Sequence, residues 1–539
     1  MTTEGSNNGM PSENGRSPGD TNLVKWGFDI HPEVFFTSGV LILLFVIIAL
    51  AFQESASATF TAIQGFITNV GGWFMILAGN MFLGVMVILA LSRFGRIRLG
   101  GQNARPEFPL FAWLAMLISA GMGIGLMFWS VGEPIFHYAA PPLDGVEAGT
   151  PAAAQQAMGI TYFHWGFHAW GIYALVGLSL AFFAFNRGLP LTMRSAFYPI
   201  LGNRIYGWPG NVIDILSVWA TLFGLATSLG FGAQQIGAGL NFLTGLPDNV
   251  YIHVVLIAVI TACATMSVVS GLDAGVRRLS ELNIYLAAVF MLFVIVVGPT
   301  LFILGSFVEN LGYYAAIFPR LSFWTETFSG TSWQDGWTVF YWGWWISWSP
   351  FVGIFIARIS RGRTVREFVL GVLLLPSLLS FLWMSAFGGS ALYLELNGIG
   401  NVAEAVNENV ATALFVMLEN FPLTALSSLI GVLLVATFFI TSSDSGSLVV
   451  DNLTSGGKID SPVPQRVFWA VMEGVVAAVL LLGGGLSALQ SAAITTGLPF
   501  AIILLIMCYS LYQGLTREYA RIEGDELRSR EEAREPVSY

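Results

Sequence analysis

Three short stretches carry residue types able to do chemistry in an otherwise apolar chain. The first reads Ser119-Ala120-Gly121-Met122-Gly123-Ile124-Gly125-Leu126, followed by Trp129 and Gly132-Glu133-Pro134. A glycine costs a helix interior about 1 kcal/mol relative to alanine, so three alternating glycines predict unwinding. Backbone groups freed at membrane depth need protein or a cavity around them. They are then open to a carboxylate or a cation. Close packing of helices through small residues is the plainer alternative.

The second feature is aromatic. One apolar run holds His164-Trp165-Gly166-Phe167-His168-Ala169-Trp170-Gly171-Ile172-Tyr173, and another holds Tyr341-Trp342-Gly343-Trp344-Trp345-Ile346-Ser347-Trp348-Ser349-Pro350-Phe351. On a continuous helix Trp165 and His168 share one sector, and Trp170 and Tyr173 share another. Pro350 removes a backbone hydrogen bond and is expected to kink or break its helix. Trp342 fits an interfacial belt. Clustered aromatic faces without acidic groups suit a quaternary ammonium ion through cation–π attraction. His164 and His168 lie one turn apart, but no Cys, Asp or Glu stands on that run to complete a metal site, so structural hydrogen bonding is expected of them.

The third feature is Phe438-Phe439-Ile440-Thr441-Ser442-Ser443-Asp444-Ser445. Its hydroxyls suit a small hard cation such as sodium, or they bond back to their own helix. The two thiols, Cys263 and Cys508, sit inside apolar runs and read as buried hydrophobes. No hydrolytic or phosphate-binding signature accompanies them.

The elements that must position these residues are membrane helices. Of 539 residues 55% are hydrophobic and only 10% charged, too few to coat several water-soluble cores. Net charge is −10 with two lysines, Lys25 and Lys458, and no basic stripe, which argues against nucleic acid as a partner. Runs of about 20 apolar residues span a bilayer as helices. Twelve are expected, at 33–52, 71–92, 109–132, 157–185, 211–241, 250–271, 279–306, 336–357, 367–391, 423–442, 464–484 and 489–515. The segment 401–420 is less apolar and reads as an interfacial helix or structured loop. Loops after even-numbered runs hold 15 Lys and Arg residues, whereas loops after odd-numbered runs hold only Arg320. By the positive-inside rule, both termini are then cytoplasmic.

Taken together, Gly121-Met122-Gly123-Ile124-Gly125, Trp344-Trp345-Ile346-Ser347-Trp348-Ser349-Pro350 and Ile359-Ser360-Arg361-Gly362-Arg363-Thr364-Val365-Arg366-Glu367 resemble the betaine/choline/carnitine transporter family over roughly residues 25–515. The match is nearest its sodium-coupled glycine betaine and compatible-solute carriers. The resemblance implies an all-α LeuT-type core of two inverted five-helix repeats, runs 3–7 and 8–12, with two added N-terminal helices. The glycine break and the Trp/Pro break would then stand at corresponding positions, where a midplane site is expected. It implies a trimethylammonium box of Trp165, Trp170, Tyr173 and Trp345, with the substrate carboxylate on the Gly121, Met122, Gly123 and Gly125 backbone. Trp344, Trp348 and Phe355 match residues of a cytoplasmic exit route.

By the same resemblance, sodium is the coupling ion and no other cofactor is expected. One sodium site would use Ser119, Met122, Phe438, Thr441 and Ser442, and a second would involve Thr221 and Phe351. Leu225 stands where the second site has another threonine. Choline-type members often carry Asp at the position of Gly125, so glycine there favours a zwitterion. Exchange-type members place a basic side chain in the core, and none occurs between Tyr206 and Val276.

The expected protein is an osmoprotective symporter in the cell inner membrane, surrounded by lipid and forming a homotrimer, with no enzymatic activity. Ectoine, hydroxyectoine, proline betaine, carnitine or choline as substrate, and proton coupling, are the alternatives in the same fold. A membrane enzyme or an osmosensor lies further off. Residues 1–28 are expected to be a disordered cytoplasmic tail, 29–516 the twelve-helix domain, and 517–539 a short cytoplasmic tail of mixed charge.

Overall fold

The computed structural model describes residues 16–270 and 273–532, and the first fifteen residues of the expected N-terminal tail lie outside them. Two short strands, β1 (Leu23–Lys25) and β2 (Phe28–Ile30), precede eighteen α-helices. These are α1 (Pro32–Ala51), α2 (Gln53–Leu91), α3 (Leu110–Gly121), α4 (Ile124–Ala139), α5 (Pro151–Trp165), α6 (Phe167–Arg187), α7 (Tyr198–Leu201), α8 (Trp208–Thr244) and α9 (Val250–Ser270). Then follow α10 (Asp273–Val297), α11 (Thr300–Ser322), α12 (Trp333–Gly336), α13 (Thr338–Ile359), α14 (Val365–Leu396), α15 (Val402–Glu408), α16 (Ala413–Glu419), α17 (Thr424–Thr454) and α18 (Val463–Glu532).

Among the described residues, ten helices are long and apolar enough to cross a membrane, or eleven if α3 and α4 form one bent span. The Trp- and Ser-rich α13 is not among them. The 70-residue α18 counts once, although it carries the last two predicted runs and is kinked at Gly484–Gly485, where Gly485 takes φ +59°. The span formed by α5 and α6 is 89% buried and that of α8 78%, against 22% for α10. The polar and aromatic helices therefore form the inside of the bundle, and the plainly apolar ones face outward.

Four expectations are corrected. The expected disorder up to residue 28 does not extend over residues 16–28. There β1 and β2 pair antiparallel across Trp26 and Gly27, both at positive φ as a two-residue hairpin turn requires. The hairpin is fastened by Asp29, whose N–H donates to Gln465 Oε1 at 2.8 Å and whose carboxylate pairs with Lys458. Second, run 279–306 is not one helix. It is interrupted at Gly298–Pro299, where proline restricts the preceding residue and offers no N–H. The Thr300 hydroxyl donates to the Ile295 carbonyl left over at the end of α10, at 2.6 Å.

Third, run 157–185 is broken at Gly166, so Trp165 and His168 do not lie on one continuous helix. A side chain at Gly166 would meet the Tyr162 carbonyl at 2.6 Å and the Phe381 ring at 2.7 Å. Fourth, Pro350 does not break its helix, and α13 runs on through it. The carbonyl that Pro350 cannot bond is that of Ile346, four residues back, and the Ser349 hydroxyl donates to it at 2.7 Å.

The basic loops gather on the face that holds the β1–β2 hairpin and the C-terminal part of α18. Arg194 pairs with Asp214 near His31, and Arg98 donates to the Gly362 carbonyl at 2.5 Å. Arg187 reaches Glu518 of α18 at 3.2 Å. The segment beyond residue 516 continues α18 as a helix to Glu532.

Candidate substrate and cation sites

The glycine run unwinds where expected. α3 ends at Gly121, Met122 and Gly123 are extended, and α4 starts at Ile124, with the two axes bent by 60°. The first N–H groups of α4 have no partner within the helix, and a helix N-terminus attracts negative charge.

A cavity opens against this break. It is lined by Gly121, Met122, Gly123 and Gly125 together with Trp165, Trp170, Tyr173 and Trp345. The break at Gly166 lets Trp165 at the end of α5 and Trp170 and Tyr173 on α6 turn toward the same space. The rings interlock edge to face: Trp165 and Trp345 have centroids 4.9 Å apart, Trp170 and Tyr173 5.4 Å, and Tyr173 and Trp345 6.3 Å. The Trp345 N–H is held by the His164 carbonyl at 2.9 Å. Two donors in the wall, the Tyr173 hydroxyl and the Trp348 N–H, are buried without a protein partner.

Trp344 lines this same cavity, stacked on Trp345 at 4.7 Å with its N–H on Ser228 Oγ at 3.2 Å. It does not line the second cavity, which Trp348 and Phe355 do. That second cavity, of about 190 Å³, brings together Ser119, Met122, Phe438, Thr441 and Ser442, with Phe351 beside them. Thr441 Oγ1 lies 3.2 Å from the Phe438 carbonyl. Asn283 of α10 donates to Thr441 Oγ1 at 3.3 Å and keeps a buried side-chain oxygen unpartnered. No spacing in the sequence marks Asn283, because it comes from a different helix. Thr221 stands apart from both cavities, its hydroxyl on the Ser217 carbonyl at 2.7 Å. Leu225 packs against Gly446 instead.

Behind the aromatic wall is a residue that sequence reasoning passed over. Glu133 of α4 is fully buried, and its Oε2 accepts the Trp165 N–H at 2.7 Å and the Tyr341 O–H at 2.5 Å. Its Oε1 lies 2.6 Å from His164 Nδ1 and 3.4 Å from His137 Nε2. Among the described residues these three side chains offer ligand atoms within 4.8 Å of one another. The carboxylate missing from the run of His164 and His168 is thus supplied by another helix. His164 Nε2 meets Thr338 Oγ1 at 3.0 Å and His168 Nε2 meets Asn80 Oδ1 at 2.8 Å, in agreement with the structural role expected of both. The available signal was a glutamate inside an apolar run, which by itself marks a functional candidate.

A helical membrane bundle with a central aromatic cavity at a broken helix is the architecture of a transporter. Residues 33–520 match the betaine/carnitine/choline family of transporters, and the chain belongs to that family. It is 50% identical to a glycine betaine/proline/choline transporter of Vibrio parahaemolyticus, over 92% of this chain and 91% of that one. A glycine betaine/proline/choline/ectoine transporter of the same organism is 48% identical over 93% and 90%. A glycine betaine transporter of Acinetobacter baylyi is 44% identical over 94% of this chain and 76% of that one. The chain is a transporter and not an enzyme.

Proposed function

We propose that the protein takes up glycine betaine as a compatible solute, coupled to sodium, by alternating access. The observation that carries this reading is the cavity itself. Four aromatic side chains from α5, α6 and α13 line one cavity together with the N-terminus of α4, so the rings suit an ammonium head and the amides a carboxylate. The unpartnered Tyr173 hydroxyl and Trp348 N–H add donors for the carboxylate. The hydroxyls and carbonyls of the second cavity are hard oxygen donors suited to sodium. On this reading runs 3–7 and 8–12 form the two inverted repeats of a LeuT-type core with runs 1 and 2 added, the protein lies in the inner membrane as a homotrimer, and the basic face with both termini is cytoplasmic.

The test is uptake into proteoliposomes, with and without a sodium gradient, across glycine betaine, proline, choline and ectoine. The wider panel is warranted because two relatives carry those substrates in their names. Sodium-dependent accumulation of betaine is expected, and accumulation indifferent to sodium rejects the coupling. Trp345→Ala should raise the betaine KM about tenfold, since a desolvated cation–π face contributes on the order of 1–2 kcal/mol; unchanged kinetics would remove Trp345 from the box. Thr441→Ala combined with Ser442→Ala should shift the sodium dependence to higher concentration.

A further inference from the structure

We propose that Glu133 is a positioning and specificity residue of the substrate cavity: its carboxylate fixes the Trp165 indole and makes that ring electron-rich, so that the box selects a charged ammonium head over an uncharged group of the same shape. The proposal rests on the reading that Trp165, Trp170, Tyr173 and Trp345 hold an ammonium group.

The argument starts from donors. An indole N–H only donates, and the Tyr341 hydroxyl donates to the same oxygen, Oε2. Oε2 thus accepts two hydrogen bonds, and Oε1 shares a proton with His164 Nδ1 across 2.6 Å. In the proposed state that proton lies on His164 and Glu133 is the anion. An N–H given to an anion shifts electron density into the indole, and in a low-dielectric interior such polarisation is strong. Trp165 lines the cavity, and attraction of a cation to an aromatic ring grows with the ring's negative charge.

The second wall leads back to the same carboxylate. The Trp345 N–H is held by the His164 carbonyl, and His164 is held by Glu133. Tyr341 packs beside both rings, 5.6 Å from each of Trp165 and Trp345. All of these groups are buried, Glu133 and His164 completely. The box residues therefore carry no charge of their own, and the Glu133 carboxyl lies directly behind them. A metal ion among Glu133, His137 and His164 is disfavoured by the 2.6 Å separation of Oε1 and His164 Nδ1, which is a hydrogen-bond distance. Ligand atoms of a tetrahedral ion at its usual bond lengths stand roughly 3.3 Å apart.

The test compares two ligands on the full-length protein in lipid nanodiscs: glycine betaine and 3,3-dimethylbutanoate, in which carbon replaces the ammonium nitrogen. Glu133→Gln, which keeps the shape and removes the charge, is expected to weaken betaine about tenfold and to leave the carbon isostere within about twofold. Glu133→Asp, which keeps the charge but withdraws it by one methylene, is expected to give an intermediate ratio. Equal loss for both ligands means a purely structural role and overturns the proposal, as does wild-type betaine binding in Glu133→Gln. If Glu133→Gln does not fold, the ratio in Glu133→Asp decides, and an unchanged ratio there overturns it. A selective loss reproduced by chelator treatment of the unaltered protein also overturns it, in favour of a metal. Trp345→Ala is measured in parallel. If it leaves betaine binding intact, the site reading has failed, whatever Glu133 does.

Discussion

At Gly125 a methyl group would lie 2.7 Å from the Trp344 ring and 3.0 Å from Trp165, whereas at Gly123 nothing stands within 4 Å. Gly123 takes φ −172°, an extended conformation open to any residue. The two glycines of one motif therefore differ in kind: Gly125 makes room for indoles and Gly123 does not. Gly125→Ala is expected to displace both rings and weaken betaine binding at least tenfold, while Gly123→Ala binds within about threefold of wild type; tryptophan fluorescence titration with betaine measures both. Equal effects would show that the backbone conformation, rather than the space beside the rings, sets the requirement. The same geometry adds a steric reason to the family pattern at this position. An aspartate at 125 would bring its charge only by moving the box walls. The aromatic clusters were readable from residue types, whereas the choice of Trp165, Trp170, Tyr173 and Trp345 as the box came from the family resemblance, because the break at Gly166 defeats helical spacing across them. Glu133 and Asn283 were not readable, since each reaches its partners from another helix.

Helix α13 carries a proline in mid-span and stays whole because the serine before it replaces the missing donor. Ser349→Ala leaves the buried Ile346 carbonyl unsatisfied and should cost about 1–3 kcal/mol. In a Pro350→Ala background, which restores the backbone N–H, the same change should cost little. Thermal unfolding of the four proteins in detergent gives the cycle, and a Ser349→Ala cost that persists without the proline excludes this account. The element boundaries show how far local signals reach. Alternating glycines at 121–125 and Gly298–Pro299 both interrupt the chain, and only the first was read as a break. Gly166 interrupts it through a close approach of Phe381, which comes from more than two hundred residues away and leaves no local trace. Pro350 shows the reverse case, a strong local breaker cancelled by its neighbour.

Across the whole molecule, the face with the β1–β2 hairpin and the C-terminal part of α18 is held by ion pairs and caps, whereas the bundle interior is held by rings. Asp29 joins the hairpin to the loop after α17. Burial alone would raise its carboxyl, but hydrogen bonds from Lys458 and Asn22 and the lysine charge hold it below its ordinary value of 3.8. A carboxyl so lowered lends stability above that ordinary value and loses it as pH falls through the folded value. Hydrogen exchange of residues 23–30 should therefore stay slow near neutrality and quicken, beyond its intrinsic pH dependence, below about pH 4. Asp29→Asn should be fast at every pH. The two cavities, for their part, share Ala120, Met122 and Trp348. The helix is interrupted at Met122–Gly123, between the C-terminus of α3 and the N-terminus of α4, and residues of this break line both cavities. On the proposed reading, ligands of opposite polarity would sit on either side of this one break. On that reading, whatever factor sodium contributes to betaine binding, betaine must contribute to sodium binding, because coupling between two binding sites is reciprocal. Titrating each in the presence and absence of the other should return one number twice, and substituting Met122 should change both values together.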